Sequence, residues 1–198
     1  MGMLGFLRRW MAWQLLPELE RLRKYEERSK SEKLMSRMKH CGIGCGLGSG
    51  LRISGQEEMS IGNNVHIGQG GFIRAEGGLT IGDNTNISRN LVLYTINHRR
   101  DGKRVPYDEV NEKRMVCIGT NVWIGMNVCI TPGTEVGEGA IIGMGTTLSG
   151  KIPPFSVVVG NKWRVVGMRD HAHYEDCVRR KAFGGPNGMP LDGEIGLG

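Results

Sequence analysis

A six-residue rhythm restricts this chain more than any other feature. From Ile118, steps of six land on Ile124, Ile130, Val136, Ile142 and Leu148, aliphatic every time. The residue that follows each is small: Gly119, Gly125, Thr131, Gly137, Gly143 and Ser149. Four places after each aliphatic stands another small or branched residue: Val122, Val128, Thr134, Ala140, Thr146 and Ile152. The same register runs through Cys41, Leu47 and Ile53, then Ile61, Ile67 and Ile73, then Ile81, Ile87 and Leu93. From 53 to 61, and from 73 to 81, the step is eight, so those coils should hold 20 residues. Gly77 and Gly78 fall in one of the added pairs.

A helix repeats at about 3.6 residues and a strand at about two, and neither gives a drift-free six. A unit that turns a corner every six residues does. Three short strands then close a triangular coil, and coils stack as a parallel β-solenoid in which each touches only its neighbours. The aliphatic points into the prism. The small residues are expected at the corners, where a larger side chain would collide and where glycine tolerates positive φ. That demand explains 32 glycines in 198 residues, about twice the usual ~7 % share.

The length allows one domain with a real core. Residues 1–40 form an N-terminal amphipathic helical segment, 41–167 the solenoid, and 168–198 a short helix and a tail. Leu4, Leu7, Met11, Leu15, Leu19 and Leu22 recur at three- and four-residue spacing, which predicts helix over 3–39. Pro17 should bend or divide it. We expect this helix to cover the open end of the solenoid. The competing reading is peripheral contact with the inner face of a membrane through Trp10, Trp13, Arg8 and Arg9. His171 to Lys181 should be helical, and the Gly- and Pro-rich stretch from Phe183 to Gly198 disordered.

The net charge of +6 suits anionic lipid or a phosphorylated cofactor as well as nucleic acid; no nucleic-acid partner is expected. No secretory leader is visible, and no apolar run is long enough to span a membrane. The five cysteines lack zinc-ligand spacing and read as free thiols in a reducing cytoplasm, without a metal.

The rhythm breaks once, between Leu93 and Ile118. Residues 94–117 are charged and carry Gly and Pro, so they form a loop expelled from the prism, and long loops on rigid scaffolds often carry function. His98 stands where the coil opens into that loop. The stretches Ile118-Gly-Thr-Asn-Val-Trp-Ile-Gly125, Pro132-Gly133, Ile152-Pro-Pro154 and Val157–Arg164 resemble the bacterial hexapeptide-repeat acyltransferases. The likeness covers about residues 59–167. It is to the galactoside and maltose O-acetyltransferases and to those that decorate lipopolysaccharide, capsule and exopolysaccharide. The N-terminal helix does not resemble the sugar enzymes.

The resemblance implies an all-β fold, a left-handed parallel β-helix, the hand coming from the family and not from the period. It also implies acetyl-CoA as co-substrate and a homotrimer with sites between neighbouring prisms. It makes His98 the general base. The chemistry asks for such a residue, because an attacking hydroxyl must lose its proton and imidazole titrates near neutrality. By the same likeness, Glu76, Asn97 and Trp123 serve the acceptor. Backbone N–H groups near Gly125 and Met126 hold the oxyanion, and Gly143 and Met144 line the pantetheine arm. Lys151, Lys162 and Arg164 meet the cofactor's phosphates. Where relatives often carry Thr-Lys, this chain has Ser149-Gly150, with Lys151 one place later.

The expected activity is therefore CoA-dependent O-acetylation of a sugar or glycan hydroxyl by direct transfer. N-acetylation of an amino sugar or antibiotic, an acyl carrier protein as donor, and a non-catalytic scaffold are the alternatives. A zinc hydratase on the same fold would need three converging histidines, and the coils hold His66 and His98; His40, His171 and His173 lie outside them.

Overall fold

In the computed structural model, residues 3–160, 170–180 and 182 are described. They form a parallel β-helix of about six turns between two helices, α1 (Met3–Met35) and α2 (His171–Arg179). Three parallel sheets make the faces of the prism. Face 1 stacks His40–Cys41, Met59–Ile61, Leu79–Ile81, Val116–Ile118, Glu135–Val136 and Lys151–Ile152. Face 2 stacks the pairs beginning at Gly46, His66, Asn86, Trp123, Ile141 and Val157, and face 3 the strands beginning at Arg52, Phe72, Val92, Cys129 and Thr147.

Every aliphatic of the six-residue series from Ile61 to Leu148 is buried, and with Val65, Leu91, Val122, Val128 and Ala140 they form one continuous core. Burying each such side chain stabilises by about 1.5–3 kcal/mol. In register, Cys41 pairs with Ile61, Ile61 with Ile81, Ile81 with Ile118, Ile118 with Val136 and Val136 with Ile152. The coils therefore run 20, 20, 37, 18 and 16 residues. The 37-residue coil contains the expelled loop. The last is shorter than the six-residue rule allows, because Ile152 opens a new coil and does not sit four places after Leu148 in the old one. Its corner is only Ser149-Gly150, and Gly150 makes the turn at φ +74°.

The corners also differ from expectation in where positive φ falls. After the aliphatics of faces 1 and 2 it falls three places on, at Asn64, Asn84, Asn90, Asn121 and Asn127 as well as at glycines such as Gly70 and Gly139. Asparagine tolerates this region because its short amide bonds locally. Here the amides also stack: Asn64 Nδ2 donates to Asn84 Oδ1 and Asn90 Nδ2 to Asn127 Oδ1, both at 3.0 Å. The glycine directly after the aliphatic serves another purpose, the close approach of the next coil. A Cβ on Gly82 would lie 2.6 Å from the amide nitrogen of Thr120.

α1 runs unbroken through Pro17. At that point the helix is exposed on all sides, so water can serve the Trp13 carbonyl that proline leaves unbonded. Nor does α1 cover the solenoid end. Every residue from 13 to 26 is exposed, and the helix joins the prism only near Met38, which packs against the core. The geometry explains why: 33 residues of helix measure about 50 Å, whereas one prism side of six residues spans only about 20 Å. Among the described residues no helix is long and apolar enough to cross a membrane. The tail expected to be disordered, from Phe183 onward, lies outside the described residues.

Gly82→Ala should lower the thermal midpoint by several degrees, since it pushes two coils apart at backbone atoms. Gly145→Ala, at φ +71° with nothing within 4 Å of the added carbon, should cost only the left-handed backbone strain of about 1–2 kcal/mol. Thermal unfolding followed by circular dichroism compares the two.

Candidate active site

The expelled loop leaves at the edge where face 3 meets face 1, and Thr95 fixes its root. The Thr95 hydroxyl is buried; it donates to the Arg74 carbonyl at 2.8 Å and accepts the Gly77 N–H at 2.7 Å. Arg114, where the chain returns, donates its N–H to the Thr95 carbonyl at 2.8 Å. Between these points Ile96–His98 pairs antiparallel with Asn111–Lys113. His98 thus stands on a two-stranded ribbon, not on a free loop, and the register places it opposite Asn111.

His98 is held on two sides. Its Nδ1 lies 3.1 Å from the Asp108 carbonyl. A carbonyl can only accept, so Nδ1 carries the hydrogen and Nε2 carries the lone pair of the neutral ring. The Tyr107 ring stacks on the imidazole with centroids 4.0 Å apart and planes 18° from parallel.

Asp108 in turn organises the loop. Its carboxylate is buried and accepts from Arg99 Nη2 at 2.5 Å and Nε at 3.0 Å, from the Lys103 N–H at 2.8 Å and from the Val110 N–H at 3.1 Å. Burial opposes its charge, but the Arg99 hydrogen bonds and the two amides outweigh it and pull the carboxyl down to about 2. α2 braces the far side. His173 Nε2 donates to the Gly102 carbonyl at 2.6 Å, the fully buried Cys177 approaches the Lys103 carbonyl, and the Val105 N–H donates to the Ala182 carbonyl at 2.7 Å. None of Tyr107, Asp108 or α2 stood out in the sequence as part of the site. The Pro106-Tyr-Asp108 run was the available signal, a stiff element in an otherwise charged loop.

An open cleft of about 580 Å³ lies here, lined by Asn97, His98, Arg99, Arg114, Thr131 and Pro132 among others. Asn97 is exposed, and its Oδ1 accepts the His98 backbone N–H at 3.0 Å. That bond is to the strand backbone and not to the ring. Glu76 sits one coil away on the same edge. Its Oε1 accepts from Ser54 Oγ at 2.9 Å and from Arg74 Nη2 at 3.2 Å, while Oε2 is buried without a partner. Burial would raise this carboxyl, but its own backbone amide, Ser54 and Arg74 together hold it below the ordinary range.

The other candidates lie elsewhere on the prism. Trp123 projects from face 2 and is 57 % exposed. Gly125 and Met126, and one coil on Gly143 and Met144, turn the corner from face 2 to face 3. The Gly125 N–H donates to the Ile142 carbonyl and the Gly143 N–H to Val158, each at 2.8 Å. These two amides are consumed by coil stacking, and their lack of a side chain is needed there: a Cβ on Gly125 would lie 2.6 Å from the Met144 nitrogen. The Met126 carbonyl joins the same ladder, accepting the Gly145 N–H at 2.8 Å. Lys151, exposed on face 1, pairs with Glu135 at 3.1 Å. Lys162 and Arg164 lie outside the described residues. Among the described residues no three His, Cys, Asp or Glu side chains group as metal ligands would.

Because the Asp108 carboxyl is depressed when folded, its contribution is complete above an ordinary aspartate value of about 3.9. It is lost as the pH falls toward about 2. Amide exchange across 99–113, corrected for intrinsic rates, should accelerate over that window. At neutral pH, Asp108→Asn should open the loop to trypsin at Arg99–Arg104 at least about tenfold faster than in the parent. Unchanged cleavage would show that the carboxylate does not order the loop.

Comparison with known proteins agrees with this architecture. Residues 118–150 match the family described as bacterial transferase hexapeptide (six repeats). The chain is 34 % identical over 131 residues to the galactoside O-acetyltransferase of Escherichia coli, covering 59 % of this chain and 61 % of that one. It is 33 % identical over 159 residues to a probable acetyltransferase of Mycobacterium tuberculosis, covering 68 % and 53 %. The chain thus spans little more than half the length of these two relatives. A hexapeptide-repeat acetyltransferase of Vibrio cholerae, solved with acetyl-CoA, shares the fold at a TM-score of 0.61 and 22 % identity, over 69 % of this chain and 74 % of that one. Repeat, prism and relatives together make this chain a hexapeptide-repeat protein similar to the hexapeptide-repeat acyltransferases.

Proposed function

We propose that the chain transfers an acetyl group from acetyl-CoA to a hydroxyl of a sugar or glycan. The observation that carries this reading is the fixed imidazole. His98 lines an open cleft, and its Nδ1–H is committed to the Asp108 carbonyl. Nε2 is left to take the proton of an attacking hydroxyl and later return one to the departing thiolate. The galactoside and acetyl-CoA named for the relatives support acceptor and donor.

One chain does not complete the site. His98, Asn97 and Glu76 share the edge between faces 3 and 1, whereas Trp123, Met126 and Met144 lie on face 2 and at its other corner. A neighbouring copy brings the second set beside the first, and Trp123, Ile141, Val157 and Val159 give face 2 an exposed apolar surface for that contact. Face 2 of one copy against the His98 edge of the next closes a trimer. The Met126 amide of the neighbour then meets the developing oxyanion, and the buried Glu76 Oε2 is satisfied by an acceptor hydroxyl. Lys151, Lys162 and Arg164 serve the phosphates of the donor.

His98→Asn should lower kcat by about 10²–10⁴-fold in a thiol-release assay with acetyl-CoA and a panel of sugars, nucleotide sugars and glycolipids, with its oligomeric state unchanged. Turnover that survives the substitution would contradict the mechanism. Trp123→Glu should shift the molar mass measured by light scattering from three copies toward one.

A further inference from the structure

Acyl transfer leaves α1 without a task. Trp13, Leu15, Leu16, Leu19, Leu22 and Tyr25 keep between 54 and 75 % of their surface in water. At about 100° per residue, Leu15, Leu19 and Leu22 fall in an arc of about 60°, and Leu16 widens it to about 120°. Arg21 and Lys24 lie on the opposite side. Arg23 lies within the arc, between Leu19 and Leu16, where its long stem can lift a charge out of an apolar layer.

Charge points the same way. Residues 1–39 hold ten Lys and Arg against five Glu, a net +5 of the chain's +6, and no acidic residue precedes Glu18. Four of the five glutamates pair along the helix with basic neighbours, Glu18 with Arg21, Glu26 with Lys30, Glu27 with Arg23 and Glu32 with Arg28. Arg8, Arg9, Lys24, Lys33, Arg37 and Lys39, less Glu20, make up the excess of five. The apolar stripe ends at Leu22, too short for the three or four heptads a coiled coil sustains.

We propose that α1 lies along an anionic lipid surface, with the leucine arc in the headgroup boundary and the basic excess against the phosphates. The proposal is independent of the acyl-transfer reading. If both hold, the His98 cleft is carried beside a lipid-borne glycan.

The test is flotation of the full chain with vesicles of phosphatidylcholine alone or with about one-third phosphatidylglycerol. The parent should float with the anionic vesicles only, and less as salt is raised. Leu15→Gln, Leu19→Gln and Leu22→Gln combined, with helix content checked by circular dichroism, should weaken flotation about tenfold or more while thiol release toward a soluble sugar is unchanged. No flotation with either vesicle overturns the proposal. So does flotation that the triple variant retains, or a triple variant whose only change is a smaller oligomer in solution, which would make the stripe a contact between copies. Binding of duplex RNA in place of vesicles would assign the charge to nucleic acid. Each of these leaves the thiol-release result, and with it the transferase reading, intact.

Discussion

Backbone N–H groups of each coil donate to carbonyls of the next: Gly119 to Val136, Gly125 to Ile142, Gly143 to Val158. That contact sets neighbouring strands about 4.8 Å apart, and nearly every local choice in the chain answers to it. The inward residue must be aliphatic because it stacks on its copy. The next must be small because the coil above arrives at backbone distance. At the corners after faces 1 and 2, the residue three places on must accept a left-handed turn, which Asn or Gly does at least cost. A solenoid built this way is rigid along its length and has no interior room, so its chemistry must lie on edges and faces.

The expelled loop follows from that restriction. A coil can bulge only at a corner without breaking the ladder, and the chain does so after Leu93, with Thr95 closing the gap beneath. The ribbon, the Arg99–Asp108 pair and α2 then replace the prism as support for His98. The imidazole gains a fixed tautomer and a stacked Tyr107 at an otherwise exposed position. A side chain held in one placement outside the prism needs such a supporting shell.

The solenoid was legible in the sequence because burial imposes a period, and the period survives from Cys41 to Leu148. His98 was legible because it stands where that period stops. The shortened final coil was not, since Ile152 fits two positions in the pattern equally well. Asparagine at the left-handed corners was overlooked because glycine is the more obvious candidate. Asp108 and Tyr107 lie in a segment with no period at all. Their roles depend on contacts with His98 and with α2, which joins the loop from some 70 residues away. The stripe on α1 announced an apolar face without saying what would cover it, and the helix proved to stand clear of the prism end. Glu76 stands on the His98 edge one coil away, whereas the Gly125 and Gly143 amides bond the next coil.

A crystal structure of the protein with CoA tests the central claim most directly. The account places the CoA sulfur at a boundary between two copies, within about 4 Å of His98 Nε2 of one copy and beside the Met126 amide of the other. A sulfur bound far from the imidazole, or a His98 ring facing bulk solvent away from any second copy, would contradict it.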